Sequence, residues 1–595
     1  MFQNDTNLKK VCYNVIQGDE IMWCKTCNRE VSNKKCEICG SETQEDIPVQ
    51  IQWCSHCNVP IIKALNELDI DRCPLCNENT NYLTTDIRPA FPAERLLFEI
   101  LKGKPMEYKD CSVWVNNNKY YVNGKTFSLS SKELKEANPD EVRGKLAYYK
   151  EKNEKECSFQ KYIDLFIQAN KERLNYIKSE AFSFIQKEAS KYDEEQLVIS
   201  FSGGKDSTVV ADLTVRALSN PSIVHIYGDT TLEFPLSYEY VQRFKKNNPM
   251  CIFKTAKNRD QEFYDVAEKI GPPARMLRWC CTMFKTGPIT RTINGLFREK
   301  SILTFYGIRK NESVSRSKYN RVEDKAGSVK ILKQKVASPI FYWCDGDIWL
   351  YMLAENVDFN DAYKLGYDRV GCWCCPNNNE RSQFLAKIYM PEQFKKWRQF
   401  LIDFAKSVGK PDPEVYVDEG KWKARQGGNG VKAAENIKIK YTNCTAEDHA
   451  KIYQLNRPIE DYFYNMFTPF GIVSRELGKK LINEVIVLDM RTNVPIISIQ
   501  PFNQDGYQYA VKIKTMNVEK HDDLQRMIGY QVRKYNACMK CLKCESICRF
   551  GAITITPDEY RIDENKCKRC KACVTPKILV GGCLMTNYLS VKDDD

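Results

Sequence analysis

Twenty of the 27 cysteines in this chain fall into five short-spaced sets of four, and that grouping constrains the fold more than any other feature. Cys24, Cys27, Cys36 and Cys39 form one CxxC…CxxC set, and Cys54, Cys57, Cys73 and Cys76 form another. Cys280 and Cys281 are adjacent and are followed, ninety residues on, by Cys372 and Cys375. Cys538, Cys541, Cys544 and Cys548 make one run; Cys567, Cys570 and Cys573 make a second, with Cys583 beyond it. At 595 residues the chain buries a core without covalent staples. CxxC spacing in such a chain points to metal or redox chemistry rather than to a secreted disulfide framework. Histidine cannot carry the metals, because only His56, His225, His449 and His521 are present.

The N-terminus lacks a basic start with an apolar core and a small-residue cleavage site, so no signal peptide is expected. No uncharged apolar run reaches the length that spans a bilayer. A cytoplasmic protein with no membrane partner is therefore expected. The formal net charge of +12 suits an anionic partner or substrate, and a solvated basic surface accounts for it equally well.

The chain divides into five segments. Residues 20–80 read as tandem zinc-ribbon-like modules, too small to fold on a core alone. Residues 85–150 read as a small α/β unit, with AERLLFEILKG as a helix and CSVWVNNNKYYVNGKTFSL as a hairpin. Residues 158–410 begin with helical spacing and pass at 196 into strand, Gly-rich turn, helix and strand, the order of a parallel α/β sheet. Residues 411–535 read as a linker, loose around Gly427, Gly428 and Gly430, followed by a small mixed domain with strands in EVIVLDM and VPIISIQPF. Residues 536–595 are the second cysteine-dense block, with a frayed tail at Lys592–Asp595.

Ser202-Gly203-Gly204-Lys205-Asp206-Ser207 lies between strand and helix and forms an anion cradle. Glycines turn backbone N–H groups toward one ligand, and the helix N-terminus adds partial positive charge. Lys205 neutralises a phosphate, and Ser202 and Ser207 donate hydrogen bonds. Walker A spacing is absent. The segment resembles the adenine-nucleotide α-hydrolase (PP-loop) superfamily, which includes ATP pyrophosphatases and PAPS/APS reductases. The resemblance continues through Asp229-Thr230 with Glu233-Phe234-Pro235, Gly307-Ile308-Arg309 with Glu312-Ser313 and Arg316, Pro339-Ile340 with Asp347-Ile348-Trp349, and Tyr363, Gly366, Arg369 and Gly371. It covers about 195–400 and is most specific to the PAPS reductase family. The family implies a parallel-sheet core and a nucleotide (PAPS, APS or ATP, with magnesium as its companion ion) on Ser202–Ser207, Asp229, Thr230, Glu233, Arg309 and Arg316. Guanidinium forks suit such oxyanions; a surface ion pair with Glu312 is the plainer role for the arginines. Lys205, Asp206 and Arg309 are the expected catalytic groups.

Cys-Cys followed by Cys-x-x-Cys is similar to the cluster motif of APS-type reductases, which implies a 4Fe-4S cluster on Cys280, Cys281, Cys372 and Cys375. Zinc and buried thiols are the alternatives. Cys374 is the odd thiol beside this set, a candidate for catalysis or a bystander. The family's ECGLH-like nucleophile near the C-terminus is missing, which leaves Cys374, Cys344, Cys444 or no thiol for that role. An intact SGGKDS is typical of members that cleave ATP.

The two N-terminal sets each supply four thiolates for a tetrahedral zinc, with interleaved pairing left open. The C-terminal block resembles a two-cluster 4Fe-4S ferredoxin domain, α+β in class. In that arrangement the fourth cysteine of a run serves the other cluster. The resemblance pairs Cys538, Cys541 and Cys544 with Cys583, and Cys567, Cys570 and Cys573 with Cys548. Two functions are expected from this chain. One is an iron–sulfur reductase of PAPS or APS fed by a low-potential electron donor. The other is an ATP-dependent sulfurtransferase acting on a nucleic acid, tRNA or DNA. A non-enzymatic redox sensor is the third reading.

Overall fold

The computed structural model describes residues 22–589 apart from 25, 28, 32–34, 44–46, 68, 156, 298–299, 314–315, 324–333, 426–429 and 576–581. Cys12, Gly427, Gly428 and the Lys592–Asp595 tail lie outside the described residues.

The core is a six-stranded α/β sheet. Its strand order is 252–257, 224–229, 197–201, 302–306, 334–337 and 322–323. All neighbours run parallel except Val322–Glu323, which lies antiparallel on the edge. The run LVISF is apolar but for Ser200, and Leu197, Val198, Ile199 and Phe201 are buried because this strand sits at the centre of the sheet. The reversal of strand order between Leu197–Phe201 and Ile302–Tyr306 opens a crevice at the C-terminal strand ends, where ligands bind in open sheets of this kind. Helices Phe159–Ala169 and Lys171–Ala189 appear where the sequence spacing places them.

The second cysteine set is joined to this core. Ile51, Trp53, Val59 and Ile61 of its antiparallel strands share one apolar cluster with Phe166, Ile177 and the central sheet. The buried Asn170 side chain clamps it by accepting from Ile62 N at 2.7 Å and donating to Pro60 O at 3.1 Å.

The segment expected as one hairpin is a meander of three strands, Val113–Asn116, Lys119–Val122 and Lys125–Ser128. Its second turn is Asn123-Gly124, at φ +45° and +79°, the pair that a two-residue turn between twisted strands requires. Helix Pro92–Leu101 is present as expected.

The stretch read as a linker carries helix Pro413–Asp418 and buries Trp422, Val431 and Ile437. Beyond it lies a six-stranded antiparallel sheet that includes Val485–Leu488 and Pro495–Gln504, with helix His521–Ala537 running on to the last cysteines. Among the described residues, no helix is long and apolar enough to cross a membrane.

Candidate functional site

The glycine-rich loop sits where Leu197–Phe201 hands over to helix Lys205–Leu218. Gly203 has φ +72°, a conformation that favours glycine. Ser202 and Ser207 tie the loop together, Oγ to Oγ at 3.0 Å, and the Tyr363 hydroxyl accepts from Lys205 N at 3.0 Å. A Cβ on Gly307 would lie 2.7 Å from the backbone of Asp206 and Ser207, so glycine there lets the Gly307–Arg309 segment press onto the loop.

Arg309 thereby reaches Asp206 at 2.5 Å and Asp345 at 2.9 Å, and Lys205 Nζ lies 3.1 Å from Asp345. Burial opposes the charge on Asp206, but Arg309 and Lys205 outweigh it and hold the carboxyl well below its usual range. Asp86, from the N-terminal part of the chain, accepts from Asp345 N at 3.0 Å and Gly346 N at 3.1 Å. Burial, then the Asp345 charge, lifts Asp86 to about 6.

Arg316 and Arg369 both pair with Glu312. Burial, then the like charges of Arg369 and Arg309, pushes Arg316 below its ordinary value. Lys205, Arg309, Arg316 and Arg369 thus stand among the carboxyl groups of Asp206, Asp345, Glu312 and Asp86.

The turn after Val224–Asp229 joins this loop region to the central cysteines. Asp229 accepts from Thr231 N at 2.9 Å and from the Tyr238 hydroxyl at 3.0 Å, holding Thr231 at φ +62°. Thr230 Oγ1 donates to Glu233 at 3.0 Å and lies 3.4 Å from Cys372 Sγ. Glu233 forms a β-bridge with Cys372, and Trp373 N donates to Leu232 O at 3.0 Å. Cys280, Cys281, Cys372 and Cys375 are thereby gathered. Cys280 has Cys281, Cys372 and Cys374 as neighbours, and Cys375 has Cys281 with Arg278 and Arg369 opposing. Cys374 is buried, and that burial keeps its thiol protonated. Cys344 caps helix Asp345–Ala354 through Asp347 N, and Asp347 takes the Arg173 fork, so both serve the fold. Glu233 is likewise buried, which raises its carboxyl, with Lys285 opposing.

The cysteine sets differ in spacing. Four sulfurs on one tetrahedral zinc lie about 3.8 Å apart, given a zinc–sulfur bond of about 2.3 Å. Cys24–Cys39 and Cys27–Cys36 are 3.5 and 3.7 Å apart; Cys54–Cys76 and Cys57–Cys73 are 3.6 and 4.0 Å apart. Pairing is therefore sequential, not interleaved. Hydrogen bonds from Ser41 pull Cys39 down to about 6, thiolate at neutral pH. Among the described residues these are the sets whose four sulfurs all fall within 4.8 Å of one another.

The C-terminal cysteines are gathered more widely. Cys541 has Cys583, Cys544 and Cys538 as neighbours, whereas Cys548 has Cys567 and Cys570; Cys573 has Cys544 of the first run beside it as well as Cys548 and Cys567. Lys540 and Leu542 in the first run, and Arg569 and Lys571 in the second, all have φ between +50° and +62°. They stand two and four residues after Cys538 and after Cys567, so the two runs wrap identically. Such turns point successive N–H groups inward, as anionic iron–sulfur sites require. A cavity is lined by Cys548, Cys567, Cys570 and Cys573 together with apolar Pro469 and Ile553. The donor set, the turns and the cavity fit a cluster.

The first C-terminal set abuts the central one. Cys541, Cys583 and Met585 share an apolar cluster with Leu232, Trp279, Met283 and Cys374, with Cys280 and Cys372 on its edge. Burial, then Cys281 and Cys280, pushes the Tyr588 hydroxyl up to about 12, and Cys541 adds to that rise. Arg291 locks the two regions together, with its fork on Glu545 at 2.8 and 2.9 Å and a further bond to Ile555 O at 2.5 Å. Gln261 donates to Met539 O at 2.7 Å. Sequence reasoning missed Asp86, Asp345, Arg291 and Tyr588. Only Asp345, two residues before a matched family position, carried a local signal.

Residues 196–378 match the phosphoadenosine phosphosulfate reductase domain. An uncharacterized protein of Methanocaldococcus jannaschii is 29% identical over 326 residues, 53% of this chain and 65% of its own length, so the match falls just short of two thirds of that relative. Adenosine 5'-phosphosulfate reductase 1 of Bacillus subtilis is 29% identical over 185 residues, 30% of this chain and 73% of its own. The solved phosphoadenylyl-sulfate reductase of Candida auris superimposes with a TM-score of 0.27 at 16% identity, covering 34% of this chain and 96% of that one.

Proposed function

We propose that this chain, whose residues 196–378 are a phosphoadenosine phosphosulfate reductase domain, is an iron–sulfur oxidoreductase. It takes an activated sulfate on an adenine nucleotide, PAPS or APS, and passes two electrons to its sulfur to release sulfite and the adenosine phosphate. The observation that carries this reading is the shared apolar cluster joining Cys541 and Cys583 to Cys280, Cys372 and Cys374, with Tyr588 facing both sets. A domain that only hydrolysed a nucleotide would gain nothing from that row.

Clusters bound by the central and C-terminal cysteines would supply one-electron steps. The chain's own residues do the rest. The 202–207 loop and the helix N-terminus receive the phosphates. Arg309, Arg316 and Arg369 would meet the anionic oxygens of the anhydride, and Arg369 also acts on Cys375, so the sulfuryl group is drawn toward the central set. Thr230 and Glu233 fix the Cys372 loop. The Cys54 set, and with it the Cys24 set, holds zinc as a structural ion.

Anaerobic reconstitution followed by iron, sulfide and zinc counts, then turnover with PAPS or APS and a low-potential donor, tests the reading. Sulfite is the expected product. Pyrophosphate from ATP, stimulated by tRNA or DNA and without sulfite, would instead assign the sulfurtransferase reading that the intact SGGKDS favours.

A further inference from the structure

Lys534 stands on helix His521–Ala537, outside both cysteine runs, yet its side chain ends between them. It is 2% exposed. Its ammonium donates to the Tyr560 hydroxyl at 3.2 Å and to Cys573 O at 3.3 Å. Neither partner carries a negative charge. A buried ammonium without a counter-charge is strongly disfavoured, and in practice it is paired or loses its proton. Glu545, which follows Cys544 in the chain, is taken by the Arg291 fork. What does face Lys534 is sulfur: Cys544, Cys583 and Cys538 of one set, and Cys573 of the other. Tyr560 extends the contact, since its hydroxyl accepts from Lys534 and hydrogen-bonds to Cys544. Protonated thiols would leave this cation unbalanced; metal-bound thiolates balance it.

We infer that Lys534 is the fixed positive charge that offsets anionic sulfur at both C-terminal cysteine sets and raises the reduction potential of the clusters held there. The inference rests on the cluster reading above. Reduction brings one electron from the low-potential donor and makes a site more negative by one charge. A cation nearby in a water-poor interior favours that change, and the effect is long-ranged enough to reach both sets.

The test compares wild type, Lys534→Met and Lys534→Arg, each reconstituted anaerobically, by iron and sulfide count and by potentiometric titration followed by electron paramagnetic resonance. A full iron count with a lower potential in Lys534→Met, and a near-native potential in Lys534→Arg, is the expected result. Loss of iron in Lys534→Met that Lys534→Arg restores also supports the inference, because the charge is then what holds the thiolates. Equal potentials in all three proteins at full iron would overturn it, as would iron loss in both variants, which assigns Lys534 to packing. A wild type that takes up no iron or sulfide sinks the cluster reading first, visibly before any variant is compared.

Discussion

The hydroxyl of Thr230 lies 3.4 Å from the sulfur of Cys372 while it donates to Glu233 at 3.0 Å. One side chain thus connects the nucleotide-side turn to the central cysteine set. Thr230→Val keeps the shape and removes both contacts, together with the bond that Thr230 Oγ1 accepts from Leu232 N at 3.3 Å. Glu233 is buried and already pushed up by that burial, so it loses a partner it cannot replace with water. The expected cost is about 1–3 kcal/mol in denaturant melts, with a changed resonance signal from the central site. An unchanged melt and signal would show that the turn is held by backbone contacts alone.

The two zinc-like sets differ in what they support. Ile51, Trp53 and Ile61 beside Cys54 and Cys57 belong to the same apolar cluster as the central sheet, whereas Trp23 and the Cys24 set lie outside it. Cys57→Ser is therefore expected to lower the melting temperature of the whole chain. Cys27→Ser is expected to release one zinc with little effect on the main transition. Zinc counts with calorimetry check both, and equal losses of stability would refute the distinction.

Asp86 makes stability depend on pH in an unusual direction. Its carboxyl titrates near 6 in the folded chain, above the value of about 3.9 in an unfolded one. Between those values the native chain holds a proton that the unfolded chain has released. Stability from this group is thus fully present below about pH 4 and is lost as pH rises through 6, by roughly 3 kcal/mol at about 1.4 per unit. Asp86→Asn cannot ionise. Its unfolding free energy should fall less than that of wild type between pH 4 and 7, as urea titrations at both pH values would show. Parallel curves would remove Asp86 as the source.

Arg291 tests whether docking matters for the relay. Its guanidinium is shared among Glu545, Ile555 O and Asp260. Arg291→Ala is expected to leave nucleotide protection against unfolding intact and to slow sulfite formation several-fold. Loss of nucleotide protection would mean that the change had reached the loop instead.

Much of this was readable because the signal was local. The SGGKDS loop, its flanking strand and helix, and the CxxC turns are each set by a handful of neighbouring residues. The crossed grouping of Cys548 and Cys583 came from resemblance alone, because spacing within a run does not say which cysteine of another run it meets. Asp86 was not readable, since it meets Asp345 and Gly346 across some 260 positions. Nor was Lys534, because helix 521–537 presents an ordinary amphipathic pattern and its lysine looks like a surface charge. The three-stranded meander was read as one hairpin because Asn117 and Asn118 were not recognised as a turn of their own, although Asn117 sits at φ +55°.

Gly307 offers the sharpest test of the loop. Its own backbone is not in the left-handed region, so alanine is conformationally acceptable there. The obstacle is contact: the added Cβ would lie 2.7 Å from Asp206 C and Ser207 N, and both are backbone atoms. A rotamer change cannot relieve that clash. Either the loop moves away or the Gly307–Arg309 segment does, and both movements separate Arg309 from Asp206. Overpacking of this kind costs about 1–3 kcal/mol, but the larger effect falls on the anion cradle. A nucleotide such as PAPS or ATP that binds the native chain would stabilise wild type against heat in proportion to its binding. Gly307→Ala is expected to lose most of that shift while keeping its full metal content, because no cysteine set touches Gly307. A variant with normal nucleotide protection would mean that the loop receives its ligand without the Arg309 segment pressed against it.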